Sequence, residues 1–356
     1  MPEKEIPEEV LKELEEKLET KIGIELIEGA EIEVGEAVCS ISISSDGKFV
    51  IIGGEDRKAR LVKIERDKEG KIIGMMEIIK IETDGWVLST SISPDETFAI
   101  IGSSDGKVRL AEIKRDKEGK ITGIKIIERT EVEIGGLVYS TSISPDGTFV
   151  IIGSEDQARL AKLKRDEKGN VTGIEVIKEV KVGGRIYSTS VSPDGKFAII
   201  GSGDGGVSLF KIKKDEESNI TGMEIIGLVA VGGCVYSTSI SPDGTFAIIG
   251  SSDGKVRLAE IPEMEIIKEV YVGGYVYSTS ISPDGTFTII GNDYGELILA
   301  KIERNKKGKI TGMKLIEEVD IGGAVLSTSI SPDGKFAIIG SGDGKARIAE
   351  IRREKT

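Results

Sequence analysis

LVYSTSISPDGTFVIIGSEDQARLAKLKRDEKGNVTGIEVIKEVKV, residues 137–182, reads as four short strands joined by tight turns. Leu137 to Ser144 is rich in β-forming residues and stops at Ser144-Pro145-Asp146-Gly147, where proline presets φ and glycine accepts positive φ. Phe149 to Ile152 is apolar, branched and too short for a helix, the pattern of a strand buried on both faces. Gly153-Ser154-Glu155-Asp156 ends it. A third strand covers Ala158 to Leu163, and the polar run from Lys164 to Asn170 turns the chain into a fourth over Thr172 to Val182.

The same unit recurs along the chain. Its turn aspartate appears at Asp46, Asp95, Asp146, Asp194, Asp243, Asp284 and Asp333, with spacings of 49, 51, 48, 49, 41 and 49 residues. A period in the forties, built of short strands with glycine-rich turns, predicts an all-β, seven-bladed β-propeller of four-stranded antiparallel blades. The repeat units start near residues 36, 85, 136, 184, 233, 274 and 323. The last unit stops at Ile351, after its third strand. Ile22 to Val34 resembles Ile174 to Val182 and is expected to supply the missing outer strand, closing the ring and removing two exposed sheet edges. Residues 22–356 thus form the propeller. Residues 1–21 carry Ile6, Val10, Leu11, Leu14 and Leu18 at helical spacing and predict a short N-terminal amphipathic helix. That helix either packs on the ring's side or over one opening, or serves a partner or a second copy.

Composition narrows the function. The 356 residues hold 48 Lys+Arg against 61 Asp+Glu, a net charge of −13, with no histidine. Phosphate contacts need a surplus of cations, so neither a nucleic-acid nor an anionic-membrane partner is expected. No stretch approaches the ~18 apolar residues that a spanning helix needs, and the charged first 20 residues lack the core of a secretory signal. A cytoplasmic monomer is the expectation. Missing histidine also removes the commonest general base and metal ligand.

Gly136 to Gly147 and Gly102 to Glu112 resemble the first strand, second turn and third strand of the WD40 repeat family, and the likeness extends over most of the chain. The resemblance implies a propeller that presents a face to other macromolecules. The Trp-Asp pair of that family is replaced by Ala111-Glu112, Ala161-Lys162, Ala259-Glu260 and Ala349-Glu350, and its Gly-His pair by Gly135-Gly136 and their counterparts. The family's buried Asp-His-Ser/Thr-Trp network therefore cannot form, and packing of isoleucine and valine is expected to hold the blades. The turn aspartates remain at Asp56, Asp105, Asp156, Asp204, Asp253 and Asp343, with Tyr294 in that column of the sixth unit. One glutamine, many Glu, Lys and Ile residues, and the near-identity of residues 89–113 and 237–261 suit a heat-adapted or recently amplified, even engineered, chain.

Catalytic and ligand motifs are sparse. Gly201 to Gly206 matches G-x-G-x-x-G, but a strand follows it where a dinucleotide site needs a helix. Cys39 and Cys234 fall on non-adjacent blades, too far apart for a disulfide or a shared metal. Asn170 and Asn219 open glycosylation sequons by pattern alone. The turn aspartates could ring an opening and attract cations such as calcium, although such residues more often cap their own backbone. No cofactor is expected, and the chain is read as a non-enzyme.

Two columns vary while their neighbours stay fixed. The residue after each Gly-Gly, or its equivalent, reads Ala37, Trp86, Leu137, Arg185, Cys234, Tyr275 and Ala324; two residues on stand Cys39, Leu88, Tyr139, Tyr187, Tyr236, Tyr277 and Leu326. Both columns fall at the start of the axis-lining strand. Tryptophan, tyrosine and arginine are the types enriched in binding hot spots. The leading expectation is a scaffold binding a protein or peptide on this face through Trp86, Leu137, Tyr139, Arg185, Tyr187, Tyr236, Tyr275 and Tyr277. Alternatively, these rings plug the channel, the axis holds a small ligand or cation, or an amplified scaffold has no evolved partner.

Overall fold

Branched residues and glycine turns build seven four-stranded antiparallel sheets in the computed structural model of the chain, which describes residues 20–355. Of the helix expected over residues 1–21, residues 1–19 lie outside the described residues, and Thr20 and Lys21 belong instead to the first strand, paired with Lys355 and Glu354. Blade 1 runs inner to outer through Val38–Ile43, Phe49–Gly54, Lys58–Arg66 and Ile72–Glu82. Blade 7 takes Val325–Ile330, Phe336–Ser341 and Lys345–Lys355 from the end of the chain and its outermost strand, Thr20–Glu33, from the beginning. The closure is antiparallel, with Ile24 opposite Ile351 and Glu33 opposite Lys345. The last strand runs past Ile351 because Arg352 to Lys355 are also paired by this N-terminal strand.

Two blades depart from the pattern. In blade 2 the outer strand is split into Ile121–Ile126 and Val132–Glu133, with Arg129 at φ 62° between the pieces. In blade 5 the connection between the third and fourth strands shrinks to a turn around Pro262, which accounts for the spacing of 41.

Each apolar cluster lies between two blades. Val50, Ile52 and Val62 of blade 1 pack with Phe336 and Ile338 of blade 7, and the motif repeats around the ring. The glycine after each Ile-Ile pair lets the next blade approach: at Gly102 a Cβ would stand 2.6 Å from Val138 Cγ1. That position tolerates no side chain without opening the seam.

Polar bonds also hold the blades together. The Ser-Thr-Ser of each inner strand makes a ladder around the axis, in which Thr90 N–H donates to Ser40 Oγ at 2.8 Å and the two hydroxyls bond at 3.0 Å. The pattern recurs from Ser89–Thr141 to Ser278–Thr328. At the seam between blades 7 and 1, where Ile41 replaces threonine, Ile41 N–H donates to Ser327 Oγ at 3.0 Å. On the face of the Ser-Pro-Asp-Gly turns, cations at the ends of third strands reach back one blade. Arg165 pairs with Asp95 at 3.4 Å and covers the Phe98 ring, Arg304 pairs with Asp243 at 3.0 Å over Phe246, and Arg353 with Asp284 at 2.6 Å over Phe287. Packing of isoleucine and valine is therefore only part of what holds the blades.

Asp284 gives this clamp a pH signature. Burial works to raise its pKa, but hydrogen bonds from Arg353, Ser282 and Thr286 outweigh burial and hold it at about 2, against an ordinary 3.8. A depressed folded pKa means the stabilisation is complete above pH 4 and is lost as pH falls from about 4 to about 2. Discounted for partial exposure, it is worth about 1–2 kcal/mol. Asp284→Asn should lower the melting temperature at pH 7, and the gap from wild type should close towards pH 2. A gap constant across that range would show that the charge of Asp284 contributes nothing.

Candidate functional site

The inner strands begin on the face where the turns between second and third strands also lie. Trp86 O accepts from Ser104 N–H at 2.9 Å, Arg185 O from Gly203 N–H at 2.8 Å, and Tyr275 O from Asp293 N–H at 3.0 Å. The first variable column is thereby tied to a third one in the facing turns, reading Glu55, Ser104, Glu155, Gly203, Ser252, Asp293 and Gly342.

The second column carries an aromatic arc. Tyr139, Tyr187, Tyr236 and Tyr277, from blades 3 to 6, stand in sequence with centroids 5.1, 5.0 and 5.0 Å apart at tilted or edge-on angles, the geometry that ring quadrupoles prefer. Cys39, Leu88 and Leu326 occupy the column in the other blades, so the arc covers one side of the axis. Tyr275 joins the arc at 6.4 Å from both Tyr236 and Tyr277 and is 47% exposed. Trp86 is equally exposed on blade 2 and Leu137 half-buried on blade 3. Arg185 is exposed, and its guanidinium hydrogen-bonds Tyr187 and faces Glu155. The arc therefore joins five of the eight expected site residues directly, with Arg185 bonded to it; Trp86 and Leu137 stand on the same face outside the stack.

Burial pushes the Tyr139 and Tyr277 hydroxyls up, with the Asp293 charge adding to the latter, and pushes Tyr236 to about 12, helped by Cys234. These phenols stay protonated at neutral pH and act as hydrogen-bond donors on aromatic surfaces. Cys39 and Cys234 are free thiols, and burial followed by the charges of Glu55 and Asp56 raises Cys39 to about 12.

Two further tyrosines belong to the same face. Tyr271, ending the outer strand of blade 5, is 68% exposed, and Tyr294, in a turn of blade 6, is 66% exposed. Tyr271 lies against Gly254, and Tyr294 against Gly273 and Gly274. The separation by residue type is complete. All seven tyrosines and the lone tryptophan stand on this face, whereas the phenylalanines sit inside the blades.

The turn carboxylates do not form a free ring. Asp56, Asp105, Asp253 and Asp343 are each held by an arginine four residues on: Arg60, Arg109, Arg257 and Arg347. Three of these arginines also reach a glutamate of the outer strand, Glu77, Glu269 and Glu31, and Arg109 reaches Glu131 in the break of the split outer strand. In blade 3 the turn is one residue shorter, so Arg159 grips Ser154, Gln157 and Glu179, while Asp156 points outward to Lys181. Blade 4 has Ser208 and blade 6 has Ile298 at the arginine position. Among the described residues no cluster of three or more His, Cys, Asp or Glu side chains is placed to hold a metal ion, and no helix is long and apolar enough to cross a membrane.

Residues 32–62, 77–111, 230–259 and 320–349 match the WD40 family, WD domain, G-beta repeat. Each match begins in the outer strand of one blade and ends in the third strand of the next, the offset that makes the N-terminal strand complete blade 7. The fold and these repeats define a seven-bladed propeller of the WD40 type. The chain is a WD40-like β-propeller, and propellers of that family generally serve as protein-interaction scaffolds and are typically non-enzymatic. No curated protein gives a significant match. The four matched segments hold the complete Asp–Arg pairs, whereas blades 3, 4 and 6, where those pairs are altered, all contribute to the tyrosine arc.

Proposed function

We propose that this chain is a non-catalytic interaction module that binds a protein or peptide on the tyrosine face. The arc of Tyr139, Tyr187, Tyr236 and Tyr277 is the floor, with Trp86, Leu137, Arg185 and Tyr275 around it. The observation that carries the reading is the sorting of aromatics. Phenylalanine fills the blades, while every tyrosine and the tryptophan are spent on one face, away from the blade cores. Rigid aromatics with a polar tip supply large contact area at low entropic cost, which is why they concentrate in interfaces. The departures of blades 3, 4 and 6 from the repeat support it, because a surface evolving for a partner breaks symmetry where the partner lies.

The test is selection of peptides from a random library on the purified protein. Ala at Trp86 or Tyr275 should each cost about 2 kcal/mol of binding or more, while stability changes by about 0.5 kcal/mol or less. Charge reversal between Lys114 and Lys120, on the opposite face, should leave binding intact. Binding that survives the aromatic variants and fails with the hairpin variant would place the partner on the other face. Unfolding of the aromatic variants would instead make these rings a structural plug.

A further inference from the structure

Resting on that reading of the face, we infer that its partner is cationic: a lysine- and arginine-rich segment whose charged side chains lie over the rings of blade 6 and pair with Asp293. Three rings meet there, Tyr236, Tyr275 and Tyr277, with centroids 5.0 to 6.4 Å apart. The Asp293 carboxylate sits beside them. Its Oδ1 accepts Tyr275 N–H at 2.6 Å, and its charge is felt by the Tyr277 hydroxyl. A tyrosine face attracts a cation through its quadrupole, and a carboxylate at the ring edge adds a charge-assisted bond. Tyr271 and Tyr294 extend the exposed aromatic surface outward from this corner.

Charge complementarity selects the same occupant. In the first variable column and the facing one, the charged members are Glu55, Glu155 and Asp293 against Arg185, which is already bonded to Tyr187, and the blade 1 turn adds one exposed cation, Arg57. The turns leading into the column add the exposed Glu36, and Asp84, which lies 3.5 Å from Arg109. Lysines that open the third strands on this face are tied to carboxylates, as in Lys107–Glu131, Lys255–Glu269 and Lys345–Glu31. On the opposite face the turn aspartates are matched by Arg165, Lys214, Arg304 and Arg353. An anionic partner would meet uncompensated carboxylates at the arc, and an apolar one would strip their water without replacing it.

Three peptides of equal length serve as probes: one alternating Arg and Lys with Gly and Ala, one with Glu at the charged positions, and one with Ser. Titration by fluorescence anisotropy at low and physiological salt should show binding of the basic peptide alone, weakening as salt rises. Asp293→Asn and Tyr275→Ala should each weaken it by about tenfold, and Asp116→Asn, on the opposite face, should not. Equal or tighter binding of the Glu or Ser peptide, indifference to Asp293→Asn, an equal loss with Asp116→Asn, or no binding of any probe overturns the inference. The face reading is scored separately by the library selection. Peptides that are acidic or apolar yet lost in Tyr275→Ala sink the cationic partner and keep the face; peptides unaffected by Tyr275→Ala and Trp86→Ala sink the face.

Discussion

Deleting residues 1–34 should leave a protein that aggregates or unfolds at room temperature, while deleting residues 1–19 should leave it folded. The longer deletion removes the outer strand of blade 7 and with it the buried Ile22, Ile24, Ala30 and Val34, which pack into the clusters on both sides of that blade. Burying each valine or isoleucine side chain is worth about 1.5–3 kcal/mol. Three such residues therefore account for a large share of the ~5–15 kcal/mol by which a domain is stable. The backbone loses the pairing from Thr20 to Glu33, and Lys345–Lys355 becomes an open edge ready to pair with another chain. The shorter deletion stops before the first paired residue. Solubility, circular dichroism and melting of the two truncations check this. A soluble chain lacking residues 1–34 that melts with the full-length protein would show that the N-terminal strand does not hold the ring closed.

That closure was legible because it needs only strand counting. Six complete four-strand units, a seventh that stops after its third strand and one spare strand at the start leave one economical arrangement. The irregularities were visible as lengths: 51 residues between Asp95 and Asp146 spans the split outer strand of blade 2, and 41 between Asp243 and Asp284 spans the shortened turn of blade 5. The polar networks were harder to read. Ser-Thr-Ser in a strand looks like β-propensity until the neighbouring blade is in place, because the bonds of Ser40 to Thr90 join residues 50 apart. Arg257 and Asp253 are only four residues apart, but a tight turn must fold before they meet.

The candidate site was half legible for a similar reason. A column that varies inside a repeat can be read from one sequence, so Tyr139, Tyr187, Tyr236, Tyr275 and Tyr277 were found. Tyr271 and Tyr294 were missed as part of the surface, since one ends an outer strand and the other stands in the aspartate column. Asking where tyrosine parts company with phenylalanine would have gathered them: no tyrosine takes the place of Phe49 and its counterparts at the start of the second strand.

Replacing Arg257 with alanine should destabilise the protein by about 3 kcal/mol, toward the range for breaking a buried ion pair. Its side chain is 4% exposed; Nε donates to Glu269 Oε1 at 2.7 Å and Nη1 to Asp253 Oδ1 at 3.1 Å. Removing the guanidinium strands Asp253, which is largely buried, whereas Glu269 can turn to water. Lysine should not rescue it, because a single ammonium cannot fork between two carboxylates. Blade 6 is built without the arginine, so the expected loss is assigned to the broken pair and not to the absence of arginine itself. There Ile298 fills the position at 2% exposure, Tyr294 replaces the aspartate, and Asn292 caps the turn by accepting from Tyr294 and Glu296 N–H. Writing that whole solution into blade 5, as Ser251→Asn, Asp253→Tyr, Lys255→Glu and Arg257→Ile together, should recover most of the stability that Arg257→Ala loses, since exchanging a complete buried ionic set for packed apolar groups is often neutral. Melting should fall by about 4 °C for the single variant and return most of the way for the fourfold one. A single variant no worse than Lys268→Ala on the exposed side of the same blade would mean that the pair contributes nothing. A fourfold variant as unstable as the single one would mean that blade 6 owes its stability to its neighbours.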